Sequence, residues 1–217
     1  NGIQHYQWDL EQGSPFLIDQ FPTQKQIELR KEKFNPPIKE DETITNNYIG
    51  TTQHPNFEKD PDYINESKRG DYLTKNKIRI LRDYQLKAVQ SVQKSVKGGK
   101  DRFLLEMATG TGKTLVSCAI IKMFLRLYNV NRVLFLVDRI ELETQAKTEF
   151  DEVLKNDFTT LIWKENQSDW KRAEIVVSTV QSFVSKNKFK KIFNHDDFDL
   201  VISDEAHRSL GTKSRRV

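Results

Sequence analysis

Residues 106–114 read Glu-Met-Ala-Thr-Gly-Thr-Gly-Lys-Thr, directly behind an apolar run of Phe103, Leu104 and Leu105 and ahead of a long apolar periodic stretch. Few local patterns restrict a fold so strongly. A strand that enters a glycine-rich turn and leaves as a helix points successive backbone N–H groups and a helix N-terminus at one spot, which is how a polyphosphate is cradled. The order assigns the side chains. Gly110 and Gly112, with Thr109 and Thr111 beside them, let the backbone approach the phosphates, Lys113 reaches the β and γ oxygens, and Thr114 offers a hydroxyl to Mg²⁺. The pattern lacks the first glycine of the strict spacing, because Met107 stands there. On these residues alone, a plain surface turn opening a helix is an open alternative.

A second motif answers the first. Asp204-Glu205-Ala206-His207 follows residues 198–203, in which Phe198, Leu200, Val201 and Ile202 read as a buried strand. The acids then fall at the carboxyl end of a strand, where open α/β sheets place their ligands. In a phosphate-loop enzyme the first acid, Asp204, holds Mg²⁺, and Glu205 positions or deprotonates the attacking water. The alternative is a helix N-terminus carrying two dipole-favoured carboxylates.

Composition sets limits. The 217 residues carry 35 basic and 31 acidic side chains, a net charge of +4, and 36% hydrophobic residues. That suits a chain with one good core plus an appendage, and it tolerates a polyanionic partner without proving one. The single cysteine, Cys118, excludes a disulfide within the chain and suits a reducing, cytoplasmic setting. Its plain role is that of a small core residue. Apolar runs stop well short of a membrane span, and a signal-peptide pattern is not evident at the start.

Organisation changes near residue 75. All six prolines lie before it, so residues 1–75 are expected to be loop-rich, with short strands at 3–9 and 15–18 and a helix near 23–33. Beyond it strands and helices alternate. Helix 83–97 carries Leu86, Val89, Val92 and Val96 on one side and stops at Gly98-Gly99. Strand 102–107 leads into the glycine turn and a helix at 113–128, apolar on nearly every side. Strand 132–137, helix 140–154, strand 159–163, strand 174–178, helix 180–193 and the strand before the acids complete the series. Such alternation predicts a parallel sheet between layers of helices, with right-handed crossovers and the ligand edge along the strand carboxyl ends.

Residues 78–92, 102–114, 133–150, 175–183 and 199–209 also stand in the order of the motifs of superfamily 2 helicases and translocases. Among these the chain most resembles the motor of type I restriction enzyme R subunits, over about residues 76–210. The resemblance implies a RecA-like first motor lobe that binds ATP and Mg²⁺. It implies adenine reading by Gln85, with Arg82 and Tyr84 beside it, and an amide suits that task because it pairs bidentately with the base edge. It implies DNA-backbone contacts from the segments 138–145 and 179–182, with Arg139, Thr179 and Gln181 as the residues concerned. His207 would couple the nucleotide to the DNA-bound parts. Double-stranded DNA and the methylase and specificity subunits of a restriction complex are the implied partners, with no membrane. For Thr179 and Gln181, capping the next helix is the plain alternative, and for Gln85 it is an exposed helix face.

Under the same resemblance, residues 2–23 look like the exit from an upstream nuclease domain, and residues 1–75 would be its end plus a linker before the lobe at 76–217. Glu66-Ser67-Lys68 spells the E-x-K of such nucleases, but Pro61-Asp62 lies too close to supply the other hairpin strand, so chance is the better account. Lys186, Lys188, Lys190 and Lys191 around Phe189 read as a solvated helix face or a phosphate contact, and Trp163 and Trp170 as packing residues. The rest of the first lobe and a second lobe are expected beyond Val217, so hydrolysis by these residues alone is expected to be negligible. Two other readings stay open: another superfamily 2 enzyme, of type III restriction, repair or RNA helicase kind, and a nucleotide-dependent interaction module without turnover.

Overall fold

A computed structural model describes residues 5–7, 16–18, 42–128, 130–165, 167–184, 193–194 and 196–206. At its centre is a four-stranded sheet in the order β4 (Thr160–Ile162), β5 (Ile175–Thr179), β3 (Val133–Val137), β6 (Leu200–Ser203). Every pairing is parallel. The register aligns Val137 with Thr179 and Leu136 with Ser203, so β3, β5 and β6 end on one edge. The chain reaches β6 by passing to the far side of β3. The crevice between β3 and β6 is therefore a switch point of the sheet, the position at which such folds take their ligands. β1 (His5–Gln7) and β2 (Phe16–Ile18) form a separate antiparallel pair, within the spans expected for them.

The β3 and β5 strands are buried along their whole length, as unbroken apolar runs in a helix-covered parallel sheet must be. Helix α5 (Lys113–Leu127) follows the glycine turn and buries Val116, Cys118 to Leu125 and Leu127. It packs between α4 (Asp83–Lys97) and α6 (Ile140–Leu154), and α6 lies on β4 and β5. Phe135 of β3 meets Phe150 of α6 edge to face at 4.9 Å. The opposite face of the sheet is closed by Trp163 and Trp170, each 3% exposed, with Phe193 and Phe198. Both tryptophans are packing residues, as their sequence setting suggested. Arg132, held by the carbonyls of Lys171, Ala173 and Asp197, ties that layer to the amino ends of the strands.

Three local expectations are corrected. First, loops were expected up to residue 75, but α1 (Gly50–Gln53), α2 (Pro61–Ile64), α3 (Glu66–Lys75) and a 3-10 turn at Phe57–Lys59 fill residues 50–75. Ile44, Tyr48 and Ile49 join the same core as α5 and β3. Asp60 and Asn65 cap α2 and α3 by accepting from the Asp62 and Ser67 N–H groups, so polar punctuation that looked like linker starts helices instead. Glu66 and Lys68 thus lie on a helix, where Lys68 pairs with Asp62 at 3.1 Å, and the hairpin of a nuclease centre is absent there.

Second, residues 102–107 form no strand. Phe103 and Met107 pack on the core, but Leu104 is 86% exposed and Leu105 also faces outward. A continuous apolar run makes a buried strand only when both faces are covered, and here one is open. Third, β6 alternates half-buried and exposed positions, with Val201 52% exposed, so it is an edge strand rather than an enclosed one. The helix expected near 23–33, most of the one at 180–193 beyond α7 (Val180–Val184) and the lysine run at 186–191 lie outside the described residues.

Candidate functional site

The glycine turn needs its glycines. Gly110 and Gly112 have φ of +77° and +79°, a left-handed backbone that side chains resist. Gly112 is also the N-cap of α5, so the turn and the helix N-terminus are continuous. A Cβ on Gly112 would stand 2.5 Å from Gln85 Nε2, while one on Gly110 would meet nothing within 4 Å. The glycine at 112 is required by the close approach of Gln85.

Gln85 is 3% exposed, not a solvated helix residue. Its Oε1 accepts from the Arg82 N–H at 2.9 Å, closing the first turn of α4, and its Nε2 donates to the Thr111 carbonyl at 2.8 Å. The Tyr84 hydroxyl donates to the same carbonyl at 2.9 Å. Each end of the amide keeps one further bonding position, a lone pair and an N–H, which is what a base edge would need. Arg82, Gln85 and residues 110–112 line a cavity of about 790 Å³, whose far wall includes Leu73 and Ile80. Thr109 and Gly110 are exposed at the turn, and Thr114, half-buried, occupies the first turn of α5.

The two motifs meet. Lys113 Nζ donates to Glu205 Oε1 at 2.6 Å, with the two side chains about a quarter exposed. Asp204 follows β6 directly: its N–H donates to the Leu136 carbonyl at 2.8 Å, and its Oδ1 accepts from the Glu205 N–H at 3.0 Å. Glu205 itself has φ of +51°, a left-handed conformation that costs about 1–3 kcal/mol for a residue with a side chain and tends to be kept at functional positions. The Asp204 carboxylate and the Thr114 hydroxyl are hard oxygen donors of the kind Mg²⁺ takes. Among the described residues no group of three or more His, Cys, Asp or Glu side chains gathers to hold a metal.

Along the same edge stand the residues implied as DNA contacts. Arg139, the N-cap of α6, is exposed, and its side chain forms a loose pair with Asp138 at 3.8 Å. Gln181 is exposed in α7. Thr179 is different: it is 2% exposed, and its Oγ1 accepts from the Ser182 N–H at 3.1 Å, so its hydroxyl caps α7. His207 lies outside the described residues.

Two buried charges were not picked out from the sequence. Glu143 is 0% exposed; its Oε1 accepts from the Thr179 N–H at 2.8 Å, and its Oε2 forms an ion pair with Lys164 Nζ at 2.6 Å. Lys122 is 1% exposed on α5, donates to the Tyr48 carbonyl and lies 4.0 Å from the centre of the Tyr48 ring. Burial, helped by Arg126, lowers the Lys122 pKa to about 8. A signal existed for both: each is a charge on an otherwise apolar helix face. No helix among the described residues is long and apolar enough to cross a membrane.

Known proteins are similar to this chain. The endonuclease subunit of the type I restriction enzyme EcoAI of Escherichia coli is 34% identical over 150 residues, covering 66% of this chain and 18% of that protein. That of EcoKI, from Escherichia coli strain K12, is 35% identical over 139 residues, covering 59% and 12%. The chain thus spans less than a fifth of the length of either relative. Among solved structures, the UvsW helicase of bacteriophage T4 is similar with a TM-score of 0.50 at 22% identity, covering 68% of this chain and 52% of that one. A Sulfolobus solfataricus SWI2/SNF2 ATPase core solved with double-stranded DNA has a TM-score of 0.50 at 18% identity, covering 59% and 26%. These two speak for the α/β phosphate-loop motor fold. The family described as type III restriction enzyme, res subunit, matches residues 79–217. With that match over most of its length, and with type I endonuclease subunits among its relatives, the chain belongs to this restriction-enzyme family of superfamily 2 motors.

Proposed function

We propose that this chain carries the first ATP-binding lobe of the DNA-translocating subunit of a type I restriction–modification system. The observation that supports this most directly is the 2.6 Å contact of Lys113 with Glu205, which closes the glycine turn against the carboxyl end of β6. The 34% and 35% identity to two type I endonuclease subunits favours type I over type III or repair motors.

In this reading the N–H groups of residues 110–114 cradle the phosphates, and Lys113 leaves Glu205 to donate to the β and γ oxygens. The Glu205 carboxylate then accepts the proton of the attacking water. Thr114 and Asp204 would hold Mg²⁺, which when bound neutralises phosphate charge. Gln85 and Arg82 take the adenine side, in the cavity beside the turn. Arg139 and Gln181 meet the backbone of duplex DNA without reading its sequence, and His207 links the two sites. Specificity and methylation belong to partner subunits, and cutting to a nuclease centre elsewhere in the whole protein.

Full turnover needs groups from a second lobe, since one arginine supplied across such a cleft changes rates by about 10³–10⁵. These 217 residues alone are therefore expected to bind ATP weakly and hydrolyse it negligibly. The test is ATP turnover by the full-length protein with its partner subunits, with and without duplex DNA. Stimulation by DNA that disappears in Lys113→Ala is expected. ATP binding with no turnover under any of these conditions would leave the non-enzymatic interaction module as the better reading.

A further inference from the structure

Glu143 lies on the apolar face of α6, in line with Ala146, Phe150 and Val153, and none of its surface reaches solvent. A carboxylate in such a place is costly unless it is both paired and hydrogen-bonded. It is both. Oε1 accepts the Thr179 N–H at 2.8 Å, and Oε2 pairs with Lys164 Nζ at 2.6 Å. Lys164 sits in the turn after β4 and is a third exposed, which lets its ammonium keep some water. Thr179 passes the constraint on, because its Oγ1 accepts from the Ser182 N–H at 3.1 Å and its hydroxyl donates to Ser182 Oγ at 2.7 Å.

Three elements are fastened by this one carboxylate: α6, the β4 turn and the start of α7. Stability does not require a charge here, since well-packed apolar groups usually serve as well or better. What a charge-assisted bond adds is direction, because the acceptor must face the Thr179 N–H along a narrow line. The segment so aimed carries the exposed Gln181, and one turn before Glu143 on its own helix stands the exposed Arg139.

We infer that Glu143 is a positioning residue for DNA engagement: it locks the Thr179–Ser182 turn to α6 so that Arg139 and Gln181 address one DNA backbone together. This rests on the DNA reading of that edge given above.

The test uses the full-length protein, with a labelled DNA duplex for binding and ATP turnover titrated against DNA. Glu143→Leu keeps the volume and removes the acceptor. It is expected to raise the DNA concentration for half-maximal stimulation about tenfold, with DNA-free turnover and the KM for ATP within about twofold of wild type. Glu143→Gln retains an acceptor for the Thr179 N–H and is expected to restore affinity to within about threefold of wild type. Where Glu143→Leu does not fold, Glu143→Asp replaces it: shorter by a methylene, it draws the acceptor back from the Thr179 N–H, and the same split is expected.

Wild-type DNA affinity in Glu143→Leu, or in Glu143→Asp where it replaces it, overturns the role. So does a parallel loss of melting temperature, DNA-free turnover and ATP affinity in Glu143→Gln, which marks a merely structural part. Arg139→Ala and Gln181→Ala separate the two levels. If they weaken DNA binding and Glu143→Leu does not, only the positioning role fails; if neither they nor the wild type respond to DNA, the DNA reading falls with it.

Discussion

Lys113 and Glu205, 92 residues apart in the chain, meet at 2.6 Å. The glycine turn and the acidic motif therefore face one crevice, and the lysine is already paired with the acid proposed to activate water. Replacing Glu205 by glutamine removes the base and weakens Lys113's hold on that side. Glu205→Gln in the full-length protein is expected to lower ATP turnover by about 10²–10⁴-fold while ATP affinity is kept or improved. Paired measurements of ATP binding and steady-state hydrolysis check this, and normal turnover would remove Glu205 from the mechanism.

The two positive-φ glycines make separable predictions. Gly110→Ala carries only the cost of a left-handed backbone, about 1–2 kcal/mol. Gly112→Ala carries that cost and also drives a methyl to within 2.5 Å of Gln85 Nε2. Gly112→Ala is expected to lose the larger share of ATP affinity, at least about tenfold, because Gln85 must release Thr111 and the turn opens. Calorimetric titration with ATP on both variants decides it. Equal losses would mean that the contact with Gln85 does not matter.

Lys122 predicts a pH dependence. Its ammonium is held down to about 8 by burial and by Arg126, against the opposing pull of Asp157 and Glu42, while in the unfolded chain it titrates near 10.5. Between those values the unfolded chain binds more protons, so folding stability rises with pH over that window. Below about 8 the lysine is charged in both states and its contribution is flat. Wild type should therefore gain stability relative to Lys122→Met as pH goes from 8 to 10, measured by urea unfolding. A pH-independent gap would show that Lys122 titrates normally.

Much of this was legible beforehand because it rests on local periodicity or on fixed spellings. The stripe of Leu86, Val89, Val92 and Val96 gave α4, and the Gly98-Gly99 stop marks where it ends, with Gly99 at φ +78°. The glycine turn and the acids were spelled out, but their contact is a tertiary fact. What escaped were features set by neighbours. Residues 44–53 hold too few apolar positions to show a period, yet Ile44, Tyr48 and Ile49 are buried because Lys122 and α5 offer them a wall. Residues 102–107 look like a strand, but they pair with none of the described strands and leave Leu104 open to solvent, which the apolar run alone does not reveal. The acceptor role of Glu143 depends on Thr179, 36 residues away, and no helical pattern records that.

Cys118 offers a simple check on the core. It is 0% exposed, and burial, with Glu149 adding to it, pushes its thiol well above the ordinary range. The native protein is expected to leave this thiol untouched by a disulfide reagent such as dithiobis-nitrobenzoate, and to react with it once unfolded. Rapid labelling of the native state would show that α5 is not enclosed.

The shared ending of β3, β5 and β6 has a mechanical consequence. Val137 is locked beside Thr179 and Leu136 beside Ser203 by continuous ladders, and sliding one rung would cost every bond in a ladder, shift it about 3.3 Å and turn each side chain to the wrong face. The carboxylates after β6 and the loops after β3 and β5 are thus bolted to a single anvil. Any displacement at this edge must come from a body swinging against it, because the edge itself has no gear in which to slip.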